Sequence, residues 1–125
     1  MPSNVRIVAI VEDDDLVRSA TVSLIRSLGL NAVPFCSATQ FLDAEQIDLG
    51  CIISDIHMPG MSGLDLVDYL RGQGSLVPVI LMTAYPTEQI KALAKESGAQ
   101  WFLEKPCEPD VLIDCLSDIF GPLED

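Results

Sequence analysis

Short apolar runs that each lead into a polar side chain constrain the fold of this chain more than any other feature. The runs span residues 5–11, 51–53, 79–82 and 101–103, and they lead in that order to Glu12 and Asp13, Asp55, Thr83, and Lys105. Runs this short and this evenly apolar are typical of strands buried on both faces, as in a parallel sheet. Because parallel strands end at the same edge of a sheet, the polar residues are predicted to meet there, where open α/β sheets bind ligands.

Helical patterns separate the runs and complete an alternating order of strands and helices. The first predicted helix has apolar residues at four-residue spacing, and its predicted buried stripe is Leu16, Ala20, Leu24 and Leu28. A further short strand is predicted at 32–36, at the edge of the sheet, because Pro34 has no backbone donor. Five βα units with short connections predict an α/β fold, a doubly wound parallel sheet with helices on both faces.

Composition excludes several classes of protein. A chain of 125 residues is long enough for one domain and too short for two. The net charge of -12, with 7 Lys and Arg residues, argues against binding to nucleic acid or to an anionic membrane surface. No apolar run has membrane-spanning length or the form of a secretory signal. The cysteines (Cys36, Cys51, Cys107 and Cys115) lack the spacing of a metal site, which predicts free thiols in a reducing cytoplasm.

The predicted cluster of acids requires a cation. Two carboxylates about 4 Å apart repel by roughly 4 kcal/mol at an effective dielectric constant near 20. Lys105 can supply one positive charge, and Mg²⁺ suits the remaining oxygen ligands. Glu12 and Asp13 lie nearest the strand end and are the better ligands, whereas Asp14 and Asp15 favour the N-terminus of the first helix through its dipole.

Taken together, these motifs resemble the receiver domain of two-component response regulators, particularly receivers of the FixJ/NarL type. The residues that carry the resemblance are 11–14, Asp55 with 58–63, 82–84, and Lys105 with Pro106. The resemblance implies a flavodoxin-like (CheY-like) fold with five strands in the order 2-1-3-4-5 and five helices. It implies one receiver domain over 1–125, in which 121–125 form a short tail or a truncated linker.

The resemblance also implies a role for each residue at the strand ends. Asp55 would be the phosphoacceptor. Mg²⁺ would be bound by Asp13, Asp55 and the backbone carbonyl of His57, with Glu12 acting through a water molecule. The family often has Asp at the position of Glu12, a difference that bears on metal affinity.

Further implied roles concern the phosphoryl group and the response to it. Thr83 and Lys105 would bind the phosphoryl group, and Thr83 with Phe102 would form the switch that changes the surface of helix 4, strand 5 and helix 5. Phe102 stands where the family has Tyr or Phe, and it has no hydroxyl group. Tyr85, two residues after Thr83, is predicted to overhang the site and to slow hydrolysis by hindering water.

The implied partners are a sensor histidine kinase or phosphotransfer protein, and either a second copy or an effector domain at the helix 4 to helix 5 surface. The protein would not be an enzyme beyond promoting its own phosphorylation and dephosphorylation. One alternative is an aspartate-nucleophile phosphatase, which needs an acid two residues after the nucleophile, where this chain has His57. The other is a receiver used only for docking, which should lack one of the site residues.

Overall fold

The sheet of this chain has five parallel strands in the order β2-β1-β3-β4-β5 in the computed structural model, which describes residues 6–44 and 48–123. The strands are β1 (Ile7–Val11), β2 (Asn31–Phe35), β3 (Cys51–Asp55), β4 (Val79–Thr83) and β5 (Trp101–Glu104). The helices are α1 (Asp15–Ser27), α2 (Ala38–Asp43), α3 (Gly63–Gly72), α4 (Glu88–Ser97) and α5 (Pro109–Phe120). The predicted fold class and strand order are confirmed, including the edge position of β2 with its Pro34. Residue 5, predicted to open the first strand, and residues 124 and 125 of the predicted tail lie outside the described residues.

The central strands are buried from end to end, and their alternating side chains divide the core into two halves. Ile53 of β3 belongs to the half that α1 and α5 cover, whereas its neighbour Ile52 belongs to the half covered by α2, α3 and α4. Every residue of β3 and of β4 is buried. A strand buried on both faces needs no polar alternation, which is why these runs are continuously apolar.

The register of the strands brings their carboxyl ends to one edge. Val11 of β1 lies beside Ser54 of β3, and Asp55 lies beside Met82 of β4. The residues that follow each of these positions therefore emerge at the same level of the sheet. This edge is where the sequence analysis places the functional site.

The first four helices begin with side-chain caps, whereas Glu108 at the start of α5 forms no such bond. Asp14 accepts hydrogen bonds from the backbone N–H groups of Leu16 and Val17 and so caps α1, as expected for an acid at a helix N-terminus. Ser62 and Asp65 form a capping box at the start of α3. Thr87, which follows Pro86, caps α4, because its hydroxyl oxygen accepts a hydrogen bond from the N–H of Ile90.

The predicted buried stripe of α1 is wrong in its first half. Leu16 is 83% exposed and Ala20 is also exposed, whereas the buried residues of the helix are Val22 and Ile25, followed by Leu28 at its C-cap. Four residues advance an α-helix by about 40° more than one full turn, so a strict four-residue spacing drifts around the helix. Only the C-terminal part of the predicted stripe faces the sheet.

Candidate functional site

Three carboxylates meet where β1 and β3 end. One oxygen atom from each of Glu12, Asp13 and Asp55 lies within 4.8 Å of the others. Glu12 and Asp55 are buried, whereas Asp13 is exposed. The structure therefore brings together the three acids that the sequence assigns to a metal site, and it leaves one of them open to solvent.

Lys105 enters this cluster from the end of β5. Its Nζ atom lies 2.7 Å from Oε1 of Glu12 and 3.4 Å from Oδ1 of Asp55. The lysine side chain is itself only 18% exposed, so little water screens these contacts. The peptide bond between Lys105 and Pro106 is cis. The predicted juxtaposition of this ammonium group with Asp55 is confirmed.

Burial and charge act against each other on the pKa values of the cluster. Burial raises the pKa of Asp55 and that of Glu12 above their ordinary values, although the nearby charge of Lys105 opposes both shifts. Burial alone would lower the pKa of Lys105, but the hydrogen bond to Glu12 and the charge of Asp55 outweigh it and raise that pKa. The ammonium group therefore stays charged at neutral pH, and it offsets only part of the cost of the buried carboxylates.

The donor set of the cluster fits a small hard cation. All three side chains offer carboxylate oxygens, the ligands that Mg²⁺ prefers, and the exposed side of Asp13 leaves room for waters. Oxygen donors alone would not suit a soft metal such as Cu(I). The backbone carbonyl of His57, two residues after Asp55, stays a predicted ligand.

Thr83 ends β4 fully buried, and its hydroxyl group is oriented by the loop that follows. The backbone N–H of Tyr85 donates to Oγ1 of Thr83 at 2.9 Å, and the N–H of Lys105 donates to the Thr83 carbonyl at 2.8 Å. A threonine hydroxyl that accepts one hydrogen bond still has its own proton to donate. The Thr83 hydroxyl therefore has a proton for an anion at this edge, although it has to turn outward to reach one, since the residue has no exposed surface.

Two aromatic rings lie at the open side of the site. The His57 imidazole and the Tyr85 phenol meet edge to face, with ring centroids 5.5 Å apart and an interplanar angle of 84°. Both residues are exposed. The contact joins the loop after β3 to the loop after β4, which agrees with the predicted position of Tyr85 beside the site.

Phe102, the predicted switch residue, lies on β5 away from the carboxylates. It is half-buried and lines a recess between β5 and α4 together with Lys91 and Lys95. In the sheet it lies beside Leu81, two positions before Thr83 along β4. The ring is thus positioned between the strand that carries Thr83 and the surface of α4.

Arg18 and Gly63 shape the loops of the site in ways that the sequence did not predict. Arg18 on α1 donates from Nη1 to the carbonyl oxygen of Glu12 at 2.9 Å. Gly63 opens α3 so close to β3 that a Cβ atom at this position would overlap the carbonyl oxygen of Asp55. The pairing of Asp15 with Arg18 at i, i+3 was readable from the sequence, but the reach of Arg18 back to Glu12 depends on the turn between them.

Nowhere in the described part of the chain is there a helix with both the length and the apolar character needed to cross a bilayer. All four cysteines are free thiols, as predicted, and Cys51 and Cys115 are buried in the core. Burial strongly raises the pKa of Cys51, so this thiol stays protonated.

Known proteins similar to this chain in sequence contain a response regulator receiver domain or are response regulators. The sequence model of the response regulator receiver domain matches residues 8–117. The transcriptional regulatory protein FixJ of Azorhizobium caulinodans is 40% identical over 115 residues, which cover 91% of this chain and 54% of FixJ. The chain spans about half the length of the curated relatives it matches.

Solved structures with the same fold lead to the same family. The chemotaxis protein CheY4 of Vibrio cholerae superposes with a TM-score of 0.83 at 25% identity, over 90% of this chain and 97% of CheY4. A receiver protein of Pseudoalteromonas atlantica gives a TM-score of 0.86 at 25% identity, over 92% and 97% of the two chains. With the family match, the CheY-like fold and the acids at the strand ends all in agreement, the chain belongs to the response regulator receiver domain family.

Proposed function

We propose that this chain is a phosphorylation-dependent switch in which Asp55 accepts a phosphoryl group from a phosphohistidine. One observation carries the proposal: Asp55 lies at the end of the central strand with Lys105 on one side and the carboxylates of Glu12 and Asp13 on another. A lone nucleophilic carboxylate between a fixed cation and a cation-binding acid pair suits phosphoryl transfer, in which the protein mainly positions groups and neutralises charge.

The proposed step uses residues whose positions are described above. An oxygen of the Asp55 carboxylate forms a bond to phosphorus while the P–N bond to the donor imidazole breaks, and the imidazole retains the electron pair. Lys105 neutralises charge on the phosphoryl oxygens, and the hydroxyl of Thr83 donates a hydrogen bond to one of them. Asp13, Asp55 and the His57 carbonyl would hold Mg²⁺, with Glu12 acting through water. When bound, the ion supplies positive charge to the developing phosphoryl group.

The proposed output is a change at the surface formed by α4, β5 and α5. Thr83 lies immediately before the loop that leads to α4, and Phe102 lies under α4 beside Lys91 and Lys95. A shift of Thr83 toward the phosphoryl group would change the space available to the Phe102 ring. A second copy or an effector domain would bind this surface, and a sensor histidine kinase or phosphotransfer protein would supply the phosphoryl group. We place the function of this chain in the cytoplasm, because its four cysteines are free thiols and a reducing compartment keeps thiols unpaired.

The proposal is tested by labelling with acetyl phosphate in Mg²⁺ or in EDTA, followed by intact-mass measurement. The wild-type chain should gain one phosphoryl group in Mg²⁺, and Asp55→Asn should gain none. Asp14→Asn is the matched control, because it removes a neighbouring carboxylate while asparagine can still cap α1. Labelling of Asp55→Asn at the wild-type level would exclude Asp55 as the phosphoacceptor. Steady turnover of a phosphomonoester would favour the phosphatase alternative.

A further inference from the structure

Arg18 contacts the loop that carries the acids, although its side chain belongs to α1. Its Nη1 atom donates to the carbonyl oxygen of Glu12 at 2.9 Å, and Nη2 donates to the carboxylate of Asp15. The Arg18 side chain is only 21% exposed. A guanidinium group has a rigid planar array of donors, so two simultaneous bonds fix it well.

The carbonyl group that Arg18 binds belongs to the peptide unit between Glu12 and Asp13. Fixing this planar unit limits the directions in which the Asp13 side chain can leave the backbone. Glu12 and Asp55 have Lys105 to orient their carboxylates. Across residues 6–44 and 48–123, the Asp13 carboxylate takes part in neither a side-chain hydrogen bond nor an ion pair, so its direction depends on the backbone.

We infer that Arg18 is a positioning residue for the cation site, one that presents the Asp13 carboxylate to the ion through the Glu12 carbonyl. The inference rests on the proposed Mg²⁺ site and adds to it a residue that touches neither the ion nor the phosphoryl group. Groups behind metal ligands commonly set ligand direction in this way, and their loss typically costs about 10- to 100-fold in affinity.

Two backbone N–H groups of the same loop also form hydrogen bonds, but neither bond replaces the one from Arg18. The N–H of Glu12 donates to the carbonyl of Phe35, and the N–H of Asp14 donates to Oε2 of Glu12 at 3.2 Å. The first fixes the peptide unit before Glu12. The second uses a carboxylate that an ion would attract, so it can change on binding. The bond from Arg18 to the Glu12 carbonyl uses none of the carboxylates of Glu12, Asp13 and Asp55, so it can persist when an ion binds them.

Charge and positioning predict opposite effects of removing Arg18. A positive guanidinium group near a cation site repels the ion, so its removal would tighten binding if charge alone mattered. Loss of positioning would instead weaken binding. The direction of the change in Mg²⁺ affinity therefore separates the two explanations.

The experiment is a Mg²⁺ titration of the whole chain, followed by backbone amide chemical shifts, for wild type, Arg18→Ala, Arg18→Lys and Arg26→Ala. Arg26 is the matched control, because it lies on the same helix and also donates to a carbonyl, that of Ala32 at 3.1 Å. We expect Arg18→Ala to raise the Mg²⁺ dissociation constant about tenfold. Arg26→Ala should leave it unchanged, and Arg18→Lys should fall between wild type and Arg18→Ala.

Thermal melting in EDTA separates the role of Arg18 in ion binding from a purely structural one. A structural role would lower the melting temperature of Arg18→Ala and Arg26→Ala alike without changing the affinity of the folded protein. Should Arg18→Ala not fold, Arg18→Lys still has to weaken binding. An equal or tighter dissociation constant for the folded Arg18 variants, with normal wild-type binding, overturns the inference alone. Failure of the wild type to bind Mg²⁺ overturns the proposed site as well.

Discussion

The ammonium group of Lys105 lies closer to Glu12 than to Asp55, at 2.7 Å from the first carboxylate and 3.4 Å from the second. Both carboxylates are buried, so each depends on this one cation for most of its compensation. Glutamate in place of aspartate at position 12 has the additional methylene that brings its carboxylate toward β5. Lys105 is therefore shared between two acids, and the stability of the ion-free protein should depend on it.

Replacing Lys105 by methionine should destabilise the Mg²⁺-free protein by about 1.5–3 kcal/mol, the range for a hydrogen bond to a charged group. Methionine keeps much of the side-chain volume and removes only the charge and the donors. The measurement is urea denaturation in EDTA. Lys91→Met is the control, because Lys91 pairs with the exposed Glu88 at 3.5 Å, and such pairs contribute at most about 1 kcal/mol. Equal losses in the two variants would contradict a special role for Lys105.

In EDTA, the melting temperature should fall as the pH rises above the ordinary pKa values of Asp55 and Glu12 toward neutrality. Burial raises the folded-state pKa values of Asp55 and Glu12 above 3.8 and 4.5 respectively, so over this window the folded chain binds more protons than the unfolded chain. Stability then decreases with rising pH, until both groups are ionised in the folded state as well. Mg²⁺ should make the decline shallower, because it binds the ionised carboxylates of the folded chain.

The excess of acids over the whole surface would also lower stability as the pH rises, so the prediction needs a charge-matched comparison. Asp55→Asn should make the decline in EDTA shallower, whereas Asp114→Asn, which removes one exposed carboxylate from α5, should not. Equal slopes for the two variants would mean that general surface charge governs the pH dependence.

Close packing of the first residue of α3, Gly63, against the end of β3 leads to a prediction about stability. Gly63→Ala should destabilise the protein and displace the loop after β3, because the added methyl group would overlap the backbone of Asp55 and Ile56. Gly72→Ala, at the other end of α3, has open space around the new methyl group and should be neutral or stabilising by up to about 1 kcal/mol. Chemical denaturation measures both. A Gly63→Ala variant as stable as the wild type would show that the loop can move at little cost.

The sequence alone was sufficient for the strand ends because their physical cause is local. A strand buried on both faces is mostly apolar, so polar residues mark its carboxyl end, as at Glu12 after β1, at Ser54 and Asp55 in β3, and at Thr83 in β4. The parallel order then brings these ends together whatever the details of the helices. The cluster of Glu12, Asp13 and Asp55 could therefore be predicted without knowledge of side-chain geometry.

The features that sequence analysis missed depend on distances across turns and on helix phase. The exposure of Leu16 follows from the drift of a four-residue spacing around a helix that turns every 3.6 residues. The contact between Arg18 and the Glu12 carbonyl depends on how the chain turns into α1, and the unequal distances from Lys105 to its two acids depend on side-chain reach. Neither quantity appears as a pattern in the residue order.

The edge-to-face pair of His57 and Tyr85 leads to a prediction for the lifetime of the proposed aspartyl phosphate. The Tyr85 ring is held edge to face against His57, which follows Asp55 by two residues, so the ring should hinder water that approaches the phosphoryl group. Tyr85→Ala should therefore shorten the lifetime, measured as decay of the phosphorylated mass after acetyl phosphate is removed. Tyr69→Ala, which removes the exposed tyrosine of α3, is the control and should decay at the wild-type rate. An unchanged lifetime in Tyr85→Ala would exclude the phenol ring as a barrier to hydrolysis.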